Sequence, residues 1–102
     1  MHVIVWRFQV KPGCEAEFER VYGSGGTWAQ LFRRDEAFLG TELLRDAERP
    51  GYYVTVDRWT SPAAYAAFRE SHAEEYDRVD RECEQLTVLE KGVGVYTQPE
   101  HS

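Results

Sequence analysis

The sequence predicts an α+β domain of ferredoxin-like βαββαβ order: a four-stranded antiparallel sheet with two helices on one face. Three observations lead there. The chain opens on period-two alternation, its middle reads as two strand-like runs joined by a turn, and a long helical stripe separates that hairpin from a last strand-like run.

Taken in order, HVIVWRFQV alternates so that Ile4, Trp6, Phe8 and Val10 share one face and Val3, Val5, Arg7 and Gln9 the other. Lys11-Pro12-Gly13 stops this strand. From Cys14 the apolar spacing turns helical, with Phe18, Val21 and Tyr22 three and four residues apart. Gly23-Ser24-Gly25-Gly26 breaks the helix, and helical spacing resumes through Trp28, Leu31 and Phe32. FLGTELLRD (38–46) and YYVTVDRW (52–59) flank a five-residue turn, Ala47–Gly51, and form a hairpin. Ser61 reads as an N-cap with Pro62 at the first helical position. The helix it starts is expected over about 62–86, on a stripe of Tyr65, Phe68, His72, Tyr76, Val79, Cys83 and Leu86. Residues 87–96 make the last strand, where Gly92 and Gly94 mark a bulge or a close backbone approach. Residues 1–97 are expected to form one domain, and 98–102 a frayed polar tail.

Composition narrows the function classes. Twelve Lys plus Arg against 18 Asp plus Glu give a net charge of -6 over 102 residues, which argues against a phosphate-backbone binder and hence a nucleic-acid partner. With 42% apolar and 14% aromatic residues the chain is too rich in core-formers to be disordered, and much of its core must be aromatic. Cys14 and Cys83 make neither a disulfide framework nor a metal-ligand spacing, so both are expected as thiols, with no metal. No run approaches the roughly 20 apolar residues of a membrane span. Arg7 and Lys11 interrupt the first apolar run before a signal-peptide core can form, so the expected location is cytoplasmic and off the membrane.

The two faces of the sheet carry different messages. Val3, Val5, Tyr52, Val54 and Val56 would lie on the face away from the helices, too much apolar surface to leave in water, so a homodimer through that face is expected. This depends on register, since a slip of one residue inverts every side chain. On the helix side, Trp6, Phe8, Tyr53 and Trp59 meet Tyr65, Phe68, His72 and Tyr76, with Thr55 and Asp57 among them. An aromatic cleft with a few polar groups is the composition of an organic-ligand site. The same residues also suit an aromatic core with polar tips at the surface. His72 is a candidate general base for a phenolic proton, or a histidine at the edge of its stripe bonded to the sheet or to water. Asp57 would orient His72 or accept a proton, or else pair with a surface arginine such as Arg58. Trp59 plugs the sheet–helix junction, a role compatible with lining a pocket. Gly23–Gly26 is no phosphate loop, because it lacks GK[ST] and follows a helix; a helix break or a lid over the pocket remains.

The stretches VWRFQVKPG, FLGTELLRD and VDRWTSPAAYAAF resemble the antibiotic biosynthesis monooxygenase domain family, over about residues 2–96. The most specific element is Trp59 closing the third strand, followed by Thr60-Ser61-Pro62-Ala63-Ala64-Tyr65. The resemblance implies a homodimeric α+β barrel with a pocket in each subunit between sheet and helices. Oxidising members of the family insert oxygen into aromatic phenols or hydroquinones without flavin, haem or metal. The implied partners are therefore a small aromatic molecule and molecular oxygen, and the implied cofactor is none. Trp59 matches the family's pocket tryptophan and Tyr65 a hydroxyl that bonds substrate. Thr55 stands where oxidising members carry an asparagine, and offers one hydroxyl in place of an amide. A second-helix arginine also contributes in those members; Arg78 is nearest in register and Arg81 next. The positions used by the haem-degrading branch read Trp6, Phe68 and Arg78, and none matches.

The resulting expectation is a cofactor-independent monooxygenase with catalytic Trp59, Tyr65, His72 and Asp57. Its substrate-binding residues would be Trp6, Phe8, Tyr53, Thr55, Phe68, Tyr76 and Arg78. The alternatives are a non-catalytic binding module for a hydrophobic aromatic molecule, and an isomerase or cyclase using His72 and Asp57 as acid and base.

Overall fold

A computed structural model describes residues 1–99 of the chain. Four strands, β1 (His2–Val10), β2 (Phe38–Arg45), β3 (Tyr52–Trp59) and β4 (Thr87–Thr97), form one antiparallel sheet in the order β2-β3-β1-β4. Helices α1 (Glu15–Tyr22) and α2 (Thr27–Phe32) precede β2; α3 (Pro62–Ser71), α4 (Ala73–Cys83) and a 3-10 turn (Glu84–Leu86) link β3 to β4. This is the ferredoxin-like α+β arrangement.

The alternation of β1 sets the register of the whole sheet. Trp6 stands opposite Thr55 on one side and Gly92 on the other, and Thr55 opposite Leu43, so one cross-strand row runs Leu43–Thr55–Trp6–Gly92 on the helix side. The neighbouring row is Thr41–Asp57–Ile4–Val95. Ile4, Phe8, Val10, Tyr53 and Trp59 are buried beneath Phe18, Val21, Tyr22, Trp28, Leu31, Phe32, Phe68, Val79 and Cys83. The core is largely aromatic: Phe18 stacks on Tyr22 with centroids 4.1 Å apart, and Phe32, Phe38, Tyr65 and Phe68 all lie within 5.5 Å of Trp59. Contacts of this kind add about 0.5–1.5 kcal/mol each beyond burial.

Two local features fix where the helices sit. A Cβ on Gly26 would lie 2.4 Å from the Arg20 and Val21 carbonyl oxygens, so only glycine allows α2 to start hard against the end of α1. That corner aims Trp28 at the sheet, and Gly23–Gly26 is the break between the two helices. Ser61 accepts a hydrogen bond from the Ala64 N–H at 3.1 Å, with Pro62 in the first turn, and this starts α3 as the sequence predicts.

The single helix expected over 62–86 is divided in the structure. His72 leaves helical backbone at φ -120°, ψ 28°, between α3 and α4. Its Nδ1 lies 3.3 Å from the Phe68 carbonyl oxygen, which also accepts the His72 backbone N–H at 2.9 Å, and its ring stacks on Phe68 at 4.6 Å. A side chain engaging its own backbone within the turn bends a helix here.

The far face of the sheet carries Val3, Val5, Val54 and Val56, all partly exposed, flanked by exposed Leu44, Leu89 and Tyr96. No helix covers it. Of the expected tail, 100–102 lie outside the described residues, whereas Gln98 is tied back, its N–H donating to the Met1 carbonyl at 3.1 Å. No helix among the described residues is long and apolar enough to cross a membrane. Cys14 and Cys83 are free thiols.

Candidate active site

Between the sheet and the helices a cleft is lined by Trp6 and Phe8 of β1, Thr41 of β2, Thr55 and Asp57 of β3, and Glu90 of β4. Tyr22 of α1, Trp28 and Phe32 of α2, and Tyr76 of α4 close it from above. Trp6, Tyr76 and Glu90 also border an outer groove with Arg69 and Asp80, so they form the mouth. The cleft is narrow: about 30 Å³ of it can take the centre of a water molecule. Trp6 is half-exposed and lies over Gly92, where a Cβ would sit 3.8 Å from its ring, so this wall has backbone behind it and no side chain.

Asp57 is the chemically distinctive group. The Thr41 hydroxyl donates to its Oδ1, and no arginine or lysine pairs with it among the described residues. Burial pushes its carboxyl up from 3.8 to about 6, with the Thr41 hydrogen bond pulling the other way. Arg58, the candidate counter-ion, points to the opposite face and pairs with Glu42. At the mouth, partial desolvation of Glu90 and the nearby Asp80 and Glu84 carboxylates push its carboxyl up as well. Burial also raises the Tyr22 and Tyr76 hydroxyls, so both stay protonated as donors. Arg69 stacks on the Tyr76 ring at 3.7 Å and so covers the outside of the cleft wall. Among the described residues no group of three or more His, Cys, Asp or Glu is placed to hold a metal ion.

Five of the expected site residues meet in the cleft: Trp6, Phe8, Thr55, Asp57 and Tyr76. The others lie elsewhere. Trp59 is fully buried behind Phe32, and Phe68 packs beside it in the core. Tyr65 stacks edge-on against Trp59, and its hydroxyl accepts from Arg69 Nη1 at 3.1 Å. Tyr53 turns its hydroxyl toward α1 and donates to Glu19 Oε2 at 2.6 Å, beside the Arg45–Glu19 ion pair. His72 sits half-buried at the junction of α3 and α4, stacked on Phe68, and is not among the residues that line the cleft. Arg78 is exposed on α4, and the helix arginine at the mouth is Arg69.

Tyr22, Trp28, Phe32, Thr41 and Glu90 complete the lining without having been singled out. Their signals are present in the sequence. Thr41 and Glu90 fall on the helix side by the same period-two logic as Asp57, and Trp28 and Phe32 are four apart on one helix face.

The sequence profile of the antibiotic biosynthesis monooxygenase family matches residues 1–78. No curated protein matches the chain in sequence. Among solved structures it is similar to SnoaB, a cofactor-independent oxygenase from Streptomyces nogalater, at 25% identity and TM-score 0.77, covering 97% of this chain and 93% of that one. A SnoaB variant with one asparagine changed to alanine gives 24% identity and TM-score 0.79 over the same coverage. An antibiotic biosynthesis monooxygenase candidate from Deinococcus radiodurans shares the fold at 15% identity and TM-score 0.78, covering 98% of this chain and 94% of that one.

Proposed function

This chain belongs to the antibiotic biosynthesis monooxygenase family, and from that premise we propose that its cleft oxidises a small aromatic phenol or hydroquinone with molecular oxygen and no cofactor. The observation that carries the reading is Asp57, a carboxylate with an aromatic enclosure, a hydroxyl partner and, among the described residues, no counter-ion. A phenolate is electron-rich enough to pass an electron to oxygen, so the protein has to bind the phenol, take its proton and exclude water.

Asp57 takes the phenolic proton, and the phenolate transfers one electron to oxygen. The radical pair joins at a ring carbon as a peroxide, which Asp57 reprotonates. Asp57 then removes the ring C–H proton while the O–O bond breaks, and the departing hydroxide takes that proton to leave as water. Phenol plus oxygen becomes quinone plus water, with both electrons for the second oxygen atom supplied by the substrate. Moving a proton from a phenol near 10 to a carboxyl at about 6 costs about 5 kcal/mol. That fits within the barrier of roughly 16 kcal/mol implied by a turnover of about 10 per second.

Trp6, Phe8 and Tyr76 would hold the aromatic ring, with Thr55 beside it; Trp59 and Tyr65 would set the shape of the cleft from behind Phe32. We also propose a homodimer packed through the uncovered sheet face, and a cytoplasmic location in keeping with two free thiols.

The test is oxygen uptake by purified protein, without added metal or cofactor, against naphtho- and anthra-hydroquinones. Asp57→Asn at equal concentration serves as the autoxidation control. Uptake at least tenfold above that control is expected. Uptake equal to it, with ligand binding intact, would replace the oxygenase by a binding module.

A further inference from the structure

Trp28 carries a second unsatisfied group in the same cleft. It is buried at the N-terminal end of α2, with its ring 4.9 Å from Tyr76 and 5.7 Å from Phe32. Its Nε1–H has no acceptor among the described residues. It lies near enough to the Tyr22 hydroxyl and the Cys83 thiol to perturb both, but without the geometry of a hydrogen bond to either. A buried N–H left unpaired is costly.

The cleft therefore places an unpaired donor in its helix layer and an acceptor, Asp57, in its sheet layer. We propose that Trp28 is a substrate-recognition residue, its Nε1–H donating to a second oxygen of an aromatic whose first oxygen, a hydroxyl, donates to Asp57. This rests on the phenol-oxidising reading and sharpens it. The preferred ligand carries two oxygen functions, as a hydroquinone or a hydroxy-ketone does, and a monophenol leaves the indole N–H unpaired in the complex. Discrimination of this type is large because the penalty falls on the analogue that lacks the partner.

The test measures anaerobic binding of a matched pair, 1,4-naphthohydroquinone and 4-methyl-1-naphthol, in which a methyl replaces one hydroxyl. The wild-type protein is expected to bind the hydroquinone about tenfold or more tightly. In Trp28→Phe the preference should fall to about twofold or less. Benzothienylalanine at position 28 keeps the bicyclic ring but has no N–H; it should lose the preference equally while keeping the wild-type melting temperature, which a merely structural role for Trp28 would not produce. An unchanged preference in both variants overturns the inference. Because no oxygen is present, its failure is separable from that of the oxygenase: preference without aerobic uptake removes the oxygenase and leaves Trp28 standing. Failure of both ligands to bind the wild type removes both.

Discussion

Replacing Asp57 by asparagine should make this protein more stable, by an amount that depends on pH in a defined way. The folded state holds the Asp57 proton more tightly than the unfolded chain, because burial lifts the carboxyl from 3.8 to about 6. Ionising it in place therefore costs folding energy. The sign follows from proton binding: between about pH 4 and pH 6 the native state binds more protons than the unfolded state, so stability falls as pH rises through that window and the penalty is complete above about pH 7. The penalty is about 3 kcal/mol at pH 8 and about 0.5 kcal/mol at pH 4. An asparagine keeps an oxygen for the Thr41 hydroxyl and removes the charge. The Asp57→Asn variant should accordingly exceed the wild type by about 3 kcal/mol at pH 8, roughly 10–20 °C in Tm for a domain of this size, and the two should converge near pH 4. Glu90 and Asp80 also titrate high, but they are common to both proteins and cancel in the difference. Urea unfolding of both proteins at each pH from 4 to 8 measures the gap. A gap that does not change with pH, or a variant less stable throughout, refutes the account of Asp57 as a buried, unpaired carboxylate. Turnover should show the mirror image: it rises with pH through about 6 in the wild type, as the base ionises, and is lost in the variant.

Further outcomes follow from the same geometry. Gly92→Val places methyl groups against the Trp6 ring, 3.8 Å from where a Cβ would sit, and should lower ligand affinity severalfold while stability holds or rises by up to about 1 kcal/mol; calorimetric titration beside thermal melting separates the two. Light scattering coupled to chromatography should give twice the chain mass for the wild type. Val5→Lys with Val54→Lys on the uncovered sheet face should give the monomer mass, and a wild-type monomer at micromolar concentration would overturn the sheet-face dimer. Ser61→Ala removes the hydrogen bond to the Ala64 N–H and should cost about 1 kcal/mol in chemical unfolding.

The sheet was legible because its side-chain period is two. Alternation alone puts Trp6, Phe8, Thr55 and Asp57 on one face, and the strand pairings keep them there. The helix side was less so. A stripe stepping by three and four carries His72 inward only if the helix runs straight, and the break at His72 comes from a contact between its ring and the Phe68 carbonyl that no spacing rule contains. Likewise, periodicity says that Tyr53 and Tyr65 are on the buried side, but not that Glu19 and Arg69 hold their hydroxyls away from the cleft. Trp28 could have been placed on the apolar face of its helix from the sequence, whereas its unpaired N–H depends on the distance to Tyr22 and Cys83 across the packed layers.

Two tryptophans of this domain have an indole N–H without an acceptor among the described residues, and their surroundings assign them different roles. Trp28 is one of the residues lining the cleft. Trp59 is sealed among Phe32, Phe38, Tyr65 and Phe68, with no exposed surface, so a ligand that kept those rings in place would not touch it. Phe32 borders both Trp59 and the cleft. Trp59→Phe should then cost about 1–3 kcal/mol of stability from lost packing, partly offset because the unpaired donor goes with it. Turnover per folded molecule should change by no more than about threefold, and the preference for the two-oxygen ligand should persist. If Trp59→Phe instead abolishes that preference while Trp28→Phe spares it, the ligand sits deeper than the cleft described here, and Phe32 must swing aside to admit it. The two single variants, read on the same matched pair of ligands, therefore locate the aromatic ring on one side or the other of Phe32.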